Sequence, residues 1–255
     1  MKFTFKTYEN LIHKIEEAGY TFTSYHTWKN AENPCILRHD IDMDLKRAAE
    51  FSDFEFQILG GGYHSTYFVL ITSDLYNPFS KKNVSYLHRI LNNGHEIGLH
   101  FDEKKYMDED TFDKDYLKIC VKKEVSLLSE ILGKEVTCIS MHRPSRSFLD
   151  ANIAFDGLVN SYSKVFFQQF KYLSDSRMNW REDVEQVVAE KKKQALHILT
   201  HPIWYEKEEQ TIREVMKRFI CSAIPERFDV LADNVSNLKE IVSLEDIYGI
   251  GKGDS

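Results

Sequence analysis

Two carboxylates stand at alternate positions at the end of a predicted strand. Asp40 and Asp42 belong to the segment Arg38-His39-Asp40-Ile41-Asp42, and alternate residues of an extended chain point to the same side. Neighbouring carboxylates repel each other unless a cation or a shared proton lies between them. The spacing therefore predicts a site where one acid binds a metal and the other acts as a base. The alternative is that Asp42 or Asp44 caps the helix predicted to begin near Leu45, and we expect Asp44 to be that cap.

Histidines stand at the C-terminal ends of three further predicted strands. They are His100, His142 and His201. Each can bind a metal or transfer a proton near neutral pH. Arg143 directly follows His142, where it can hold a charged group or form a structural ion pair. Two other histidines, His95 and His197, stand at the opposite ends of their strands, and we expect them to be structural.

A polar loop follows a predicted strand at residues 171–173. It contains Asp175, Arg177, Trp180 and Arg181. An acid, two guanidinium groups and an indole close together suit sugar recognition. A polar loop with one packed tryptophan explains the same pattern equally well.

Strands alternate with helices along the chain. Strand patterns at residues 34–40, 65–71 and 195–200 are separated by helical patterns such as 45–59 and 117–132. This alternation predicts an α/β fold with a parallel sheet and right-handed crossovers. In such folds the chemistry lies beyond the C-terminal ends of the strands, which is where the carboxylates and histidines stand. No linker-like stretch divides the sequence, so we expect a single domain over residues 1–255.

The composition excludes several classes of protein. The chain has 255 residues, with 33 Lys and Arg against 40 Asp and Glu, a formal net charge of −7. This balance argues against a nucleic-acid partner held by charge. No apolar run approaches the roughly 18 residues of a membrane helix, and the first residues do not have the pattern of a signal peptide. The four cysteines lack metal-site spacing, so we expect buried thiols in a reducing compartment and a cytoplasmic protein without membrane insertion.

The motifs, in their order and spacing, resemble those of the NodB-homology polysaccharide deacetylases, carbohydrate esterase family 4. Within that family they are similar to an atypical branch linked to surface-polysaccharide synthesis. The motifs lie at residues 37–42, 65–68, 76–77, 94–100, 142–145 and 199–202. The resemblance implies a distorted (β/α) barrel of about seven parallel strands, similar to a TIM barrel. It also implies hydrolysis of an N-acetyl group on a sugar and one divalent metal, with zinc as the first choice.

The resemblance further implies a role for each matching residue. Asp40 matches the general base, and His201 matches the general acid. Asp42 and His100 match metal ligands. Arg143 matches the arginine that orients the base.

Two positions depart from the family pattern. Ile41 separates two acids that are usually adjacent. Lys104 stands four residues after His100, where the second metal histidine is expected, and a protonated lysine cannot ligate a cation. His142 is our preferred third ligand because it stands at a neighbouring strand end. The alternatives are His201, His39 and Asp102.

The expected partner is an N-acetylated sugar or a nucleotide- or lipid-linked saccharide precursor. The residues expected to contact it are Tyr76, Asn77, Asp175, Trp180 and Trp204. One alternative function is binding of carbohydrate without hydrolysis, which the Lys104 departure supports. Another is hydrolysis of a different C–N bond, such as a cyclic amide, because barrels support many chemistries.

Overall fold

Eight strands, all parallel, form one sheet in the computed structural model, which describes residues 1–60 and 64–249. The strands are β1 (Thr21–Thr23), β2 (Pro34–Ile41), β3 (Thr66–Val69), β4 (Glu96–Phe101), β5 (Cys138–Met141), β6 (Val159–Asn160), β7 (Lys171–Ser174) and β8 (Leu196–Thr200). Seven of them follow the order β6-β5-β4-β3-β2-β8-β7, and β1 pairs with the first residues of β2. The predicted α/β fold with a parallel sheet is confirmed.

Helices connect the strands and continue beyond the last one. They are α1 (Phe5–Glu17), α2 (Leu45–Leu59), α3 (Lys81–Asn92), α4 (Lys114–Leu132), α5 (Arg146–Ala151), α6 (Lys164–Gln168), α7 (Val184–Glu190), α8 (Ile212–Asn234), α9 (Leu238–Ile241) and α10 (Leu244–Gly249). Asp44 caps α2 as predicted, because its side chain accepts a hydrogen bond from the Arg47 backbone N–H. Gly60 ends α2 with a φ of 65°. The sequence predicts that the three glycines at positions 60–62 end this helix, and Gly61 and Gly62 lie outside the described residues.

The sequence patterns do not indicate the short elements β1, α5 and α6. The sequence also predicts a strand at 158–163 and a helix at 182–193, and the structure has the shorter elements β6, with two residues, and α7, with seven. Such elements have too few residues to show a helical or strand period. The long elements that carry the fold match their predicted positions closely.

The sheet curls so that β2 faces strands that are not its neighbours. Arg38 on β2 donates hydrogen bonds to Ser140 Oγ on β5 at 2.6 Å and to Ser161 Oγ, just after β6, at 3.1 Å. In a flat sheet β2 and β5 would lie three strand spacings apart, about 14 Å. One arginine side chain does not reach that far. The curled sheet confirms the predicted distorted (β/α) barrel of about seven parallel strands.

A cluster of buried aromatic and aliphatic residues fills part of this curled sheet. Its members are Tyr25, Ile36, Phe68, Cys138, Phe166, Phe170 and Ala195. His197 packs against Phe166 and Phe170, and its Nε2 lies 2.7 Å from the Tyr25 hydroxyl. Burial lowers the pKa of His197 well below its usual value, which keeps the ring neutral. This histidine is structural, as the sequence predicts.

A buried carboxylate organises the opposite face of the sheet. Glu55 on α2 accepts hydrogen bonds from the hydroxyls of Tyr8, Ser65 and Tyr67. His39 Nε2 lies 3.1 Å from Glu55 Oε1, and His39 Nδ1 lies 2.6 Å from Thr200 Oγ1 on β8. Burial raises the pKa of Glu55, but His39, His95 and the Tyr8 hydroxyl lower it to about 2. His95 belongs to this cluster and is structural, as expected.

The internal contacts divide the chain into two compact units. The first, Met1–Glu209, contains the sheet and the helices α1 to α7. The second begins at Gln210 and contains α8, α9 and α10, with Thr211 and Glu214 forming a capping box at the start of α8. A single domain over residues 1–255 stays a prediction.

Two further expectations concern membrane-spanning helices and the state of the cysteines. No helix among residues 1–60 and 64–249 is both long and apolar enough to cross a lipid bilayer. The four cysteines are free thiols. Cys35, Cys120 and Cys138 are buried as expected, whereas Cys221 on α8 is exposed, which corrects the expectation for that residue.

We predict that Gly98→Ala destabilises the protein. A Cβ atom at Gly98 on β4 would lie 2.5 Å from the Phe68 ring and 3.0 Å from the Cys138 carbonyl oxygen. The expected loss in free energy of unfolding is about 1–3 kcal/mol, measured by urea titration. Phe68→Leu makes room for the methyl group, so the double variant should lose less than the sum of the single variants. Additive losses would contradict the steric explanation.

We predict that the stabilising effect of Glu55 disappears in acid. The pKa of Glu55 is lower in the folded protein than the ordinary 4.5, so its contribution is complete above pH 4.5 and is lost as the pH falls through about 2. Glu55→Gln should therefore cost on the order of 3 kcal/mol at neutral pH and much less at pH 2. Urea titrations at both pH values measure the difference. Glu17→Gln, an exposed control on α1, should change the free energy of unfolding by the same amount at both pH values.

Candidate active site

Five polar side chains meet at the C-terminal ends of the strands. They are Asp40 at the end of β2, Asp42 just after it, His100 on β4, His142 just after β5 and His201 just after β8. His100 Nε2 lies 3.2 Å from Asp42 Oδ1 and 3.6 Å from Asp40 Oδ2. His201 Nε2 lies 3.8 Å from Asp42 Oδ2. The structure therefore brings these five sequence-predicted residues together at one edge of the sheet.

Asp42, His100 and His142 form a triad with the spacing of metal ligands. One ligand atom of each residue lies within 4.8 Å of the other two. Asp42 Oδ1 is buried against His100 Nε2, and the buried His100 Nδ1 makes no hydrogen bond to any described residue. Two imidazoles and one carboxylate are a known zinc ligand set that leaves a fourth position open. These residues fit a divalent metal.

The surroundings of His142 suit a ligand. Its Nδ1 lies 3.4 Å from Asp102 Oδ2, and a carboxylate behind a histidine orients the ring toward a metal. Burial lowers the pKa of His142, and the neighbouring His100 lowers it further. The ring is therefore neutral at neutral pH, which is the form that binds metal.

The alternative third ligands have other contacts. His39 lies on the opposite face of the sheet beside Glu55, because it alternates with Asp40 along β2. His201 Nδ1 lies 2.6 Å from Asp175 Oδ1, and Lys104, at the position expected for the second metal histidine, is exposed in the short turn Glu103–Lys105. Asp102 accepts a hydrogen bond from the Lys104 backbone N–H and lies behind His142.

Asp40 is held by a buried arginine. Arg38 is completely buried and donates two hydrogen bonds to Asp40, from Nε to Oδ1 at 3.2 Å and from Nη2 to Oδ2 at 2.7 Å. Burial raises the pKa of Asp40, but Arg38 and His100 lower it below its usual value, so the carboxyl is ionised. Arg143, which the resemblance implies in this orienting role, is exposed instead, with a φ of 53°. The guanidinium that orients Asp40 in this structure is that of Arg38.

His201 and Asp175 form a second buried pair. His201 Nδ1 lies 2.6 Å from Asp175 Oδ1, and the His201 backbone N–H donates to Asp175 Oδ2 at 3.1 Å. Burial lowers the pKa of His201, but Asp175, Asp42 and Asp40 raise it to about 9. The ring is therefore a cation at neutral pH. Its Nε2 remains directed toward Asp42 at 3.8 Å.

Two of the residues expected to contact a substrate have structural contacts. The Tyr76 hydroxyl donates to the Ile41 carbonyl at 2.7 Å and accepts from the Leu70 N–H at 3.0 Å, so it joins the ends of β2 and β3. Asn77 Oδ1 accepts from the Phe79 N–H at 3.0 Å in the turn before α3. Both contacts fix the backbone beside the site.

The other three expected contacts are Asp175, Trp180 and Trp204. Asp175 is fully buried against His201, which corrects its expected place at a substrate surface. Trp180 is half-buried, and its Nε1 makes no hydrogen bond to a described residue. Trp204 lines a cleft together with Asp40, Asp42 and His201. Of these three, Trp204 is the one that borders the acids and histidines in this cleft.

Sequence reasoning missed Arg38 and the role of Asp175. The signal for Arg38 was present, because the alternation that pairs Asp40 with Asp42 also puts Arg38 on the same face. The Asp175–His201 pair gave a weaker signal. To predict this pair, one must know that β7 and β8 are neighbours in the sheet. The chain order of the strands suggests this but does not establish it.

The structure is similar to several solved structures. A family 4 acetyl xylan esterase from Clostridium thermocellum, in complex with a cobalt ion, is 14% identical with a TM-score of 0.42, over 75% of this chain and 84% of that chain. The Xyl-CE4 domain of a multidomain xylanase from the hindgut metagenome of Trinervitermes trinervoides is 15% identical with a TM-score of 0.43, over 82% and 90%.

A third similar structure is a CE4 family pseudoenzyme from Bacillus anthracis. It is 15% identical with a TM-score of 0.42, over 75% of this chain and 60% of that chain. These solved proteins are of the class that the sequence motifs resemble. No protein-family model and no curated protein matches the sequence.

We predict that Asp175→Asn lowers the pKa of His201 in the metal-free protein. The variant removes the nearest negative charge, whereas the burial that lowers the pKa remains. In the unaltered chain His201 should titrate at about 9 by NMR. In the variant it should titrate near or below the ordinary histidine value. Asp150→Asn, which removes an exposed carboxylate, should leave the titration of His201 unchanged, and a His201 that titrates normally in the unaltered chain would contradict the pairing.

Proposed function

We propose that this protein is a metal-dependent hydrolase that removes an N-acetyl group from a sugar. One observation carries the proposal: three side chains with the spacing of metal ligands lie beside a carboxylate and an imidazole, each of which is held in a buried ion pair. The carboxylate is Asp40, held by Arg38, and the imidazole is His201, held by Asp175. Hydrolysis of an amide needs such a pair, because water must lose a proton and the leaving amine must gain one.

Asp40 is proposed as the base. Its two hydrogen bonds from Arg38 fix the plane of the carboxylate and leave its other lone pairs free to accept from water. The same ion pair makes Asp40 a weak base, because it stabilises the ionised form. Arg38 therefore fixes the orientation in which Asp40 accepts a proton, and it also lowers the basicity of Asp40. A weak base suffices when the water it deprotonates is itself acidified.

His201 is proposed as the acid. Asp175 holds the Nδ1 side of the ring, so Nε2 is the atom that can donate a proton toward the leaving amine. The pKa of about 9 keeps the ring protonated at neutral pH. Asp175 thus keeps the ring in one orientation and in its acidic form.

The triad Asp42, His100 and His142 is proposed to hold the metal, with zinc as the first choice. When bound, a divalent metal supplies a Lewis acid that polarises the amide carbonyl and lowers the pKa of a water. Trp204 lines the cleft beside Asp42 and His201 but is itself buried, so its expected contact with a sugar stays a prediction. Trp180, Tyr76 and Asn77 stay predictions as substrate contacts.

The proposed substrate is an N-acetylated sugar carried as a nucleotide- or lipid-linked precursor. This choice rests on the expected cytoplasmic location, which remains a proposal of the sequence. Four free cysteines, three of them buried, agree with a reducing compartment. We also propose, from the sequence, that the whole chain forms a single catalytic domain.

The test combines metal content with acetate release. Protein purified without chelators should contain zinc by elemental mass spectrometry, about one equivalent of which depends on the triad, and should release acetate from a nucleotide-linked N-acetyl sugar. His142→Ala should lose that equivalent and the activity together. His201→Gln should keep the metal but lose roughly 10²–10⁴-fold in kcat, because only proton transfer is affected.

Lys104→Ala is the matched control, since Lys104 is exposed and its side chain has no role in the proposed site. Both metal content and activity should be unchanged in it. Metal without acetate release would favour hydrolysis of another C–N bond, which a panel of cyclic amides tests. Sugar binding without metal or hydrolysis would replace the proposal with a carbohydrate-binding function.

A further inference from the structure

A second cluster of metal-ligating side chains lies at the N-terminal ends of the strands. Glu96 is the first residue of β4, Cys138 is the first residue of β5, and His26 lies in the turn after β1. Glu96 precedes His100 by four residues along β4, and Cys138 precedes His142, just after β5, by four residues, a distance of about 13 Å in extended chain. The cluster is therefore separate from the candidate active site.

Three atoms of this cluster form a compact triangle. His26 Nε2 lies 3.1 Å from Glu96 Oε1, and Cys138 Sγ lies 3.4 Å from each of those two atoms. Zinc bonds are about 2.3 Å to sulfur, about 2.0–2.1 Å to nitrogen and about 2.0–2.2 Å to oxygen. At tetrahedral angles these lengths separate the ligand atoms by roughly 3.3–3.6 Å. The triangle matches one face of a zinc tetrahedron to within a few tenths of an ångström.

The hydrogen bonding within the cluster is crowded. Glu96 Oε1 accepts hydrogen bonds from Thr137 Oγ1 at 2.9 Å and from Cys138 Sγ at 3.4 Å. His26 Nε2 lies 3.1 Å from Glu96 Oε1 and 3.0 Å from Thr137 Oγ1. The polar atoms of the cluster therefore converge on one point, where a cation can take the place of the Cys138 thiol proton.

We propose that His26, Glu96 and Cys138 bind a divalent cation of zinc-like character. A thiolate, an imidazole and a carboxylate together favour a borderline-soft metal over calcium or magnesium. Thr66 Oγ1 donates to the other Glu96 oxygen at 3.1 Å, which holds the carboxylate in place. Binding releases the Cys138 thiol proton to solvent and changes no oxidation state. The metal ties the turn after β1 to the starts of β4 and β5.

Cobalt provides the test, because a cobalt–thiolate bond absorbs strongly in the near ultraviolet and the Asp42 site has no thiol. Metal-free protein is titrated with Co²⁺ under anaerobic conditions, with absorbance and bound metal measured together. The expected result is a thiolate absorption band and a second bound equivalent. His26→Ala, at a partly exposed position, should weaken the band or abolish it. Cys138→Ser should abolish it.

Two controls make the result specific. Asp42→Asn should keep the band while it loses the other equivalent of metal, which separates this proposal from the proposed function. Cys221→Ser removes the exposed thiol and should keep the band. A saturated protein without the band, or a band unchanged in His26→Ala, would overturn the proposal even if Cys138→Ser fails to fold. Loss of the band in Cys221→Ser would also overturn it.

Discussion

The ion pair between Arg38 and Asp40 is the interaction on which the rest of the site depends. Both side chains are buried, and a buried charge without its partner is strongly destabilising. The guanidinium also needs the hydroxyls of Ser140 and Ser161, and it lies over the Phe68 ring with its carbon 5.2 Å from the ring centre. These groups come from strands on several sides of the curled sheet. The pair is therefore satisfied only when the sheet curls far enough to surround it, and the same curl brings His100 and His142 to Asp42.

Strand β2 has polar residues on both faces, and each face has its own network. Asp40 belongs to the inner face, while His39 contacts Glu55 and Thr200 on the outer face. Thr200 directly precedes His201 on β8. The outer network thus connects the residue beside the proposed base to the residue beside the proposed acid. This network on the outer face therefore fixes the geometry of the proposed acid–base pair, although none of its residues enters the cleft.

Much of this arrangement could be predicted from the sequence. Long strands and helices showed their period, and the rule that parallel sheets gather polar groups at their C-terminal ends located Asp40, Asp42, His100, His142 and His201. The remaining features depend on which strands lie opposite each other. Alternation along β2 predicts Arg38 as the partner of Asp40. The partner of His201, Asp175, follows another strand, and no local sequence pattern predicts it. The burial of Arg38 is likewise a property of the curled sheet, because an isolated strand gives an arginine no reason to be buried.

The position of His142 has a consequence for how the protein folds. Asp42, His100 and His142 are 58 and 42 positions apart in the sequence. Two histidines four residues apart could bind a metal before the chain is folded. These three residues come together only after β2 and β5 have joined the sheet. A metal held by them binds the folded chain and scarcely the unfolded one, so its full binding free energy stabilises the native state. Under the proposed function, the native state becomes more heat-resistant as free metal rises, and the metal stabilises a sheet that has already formed.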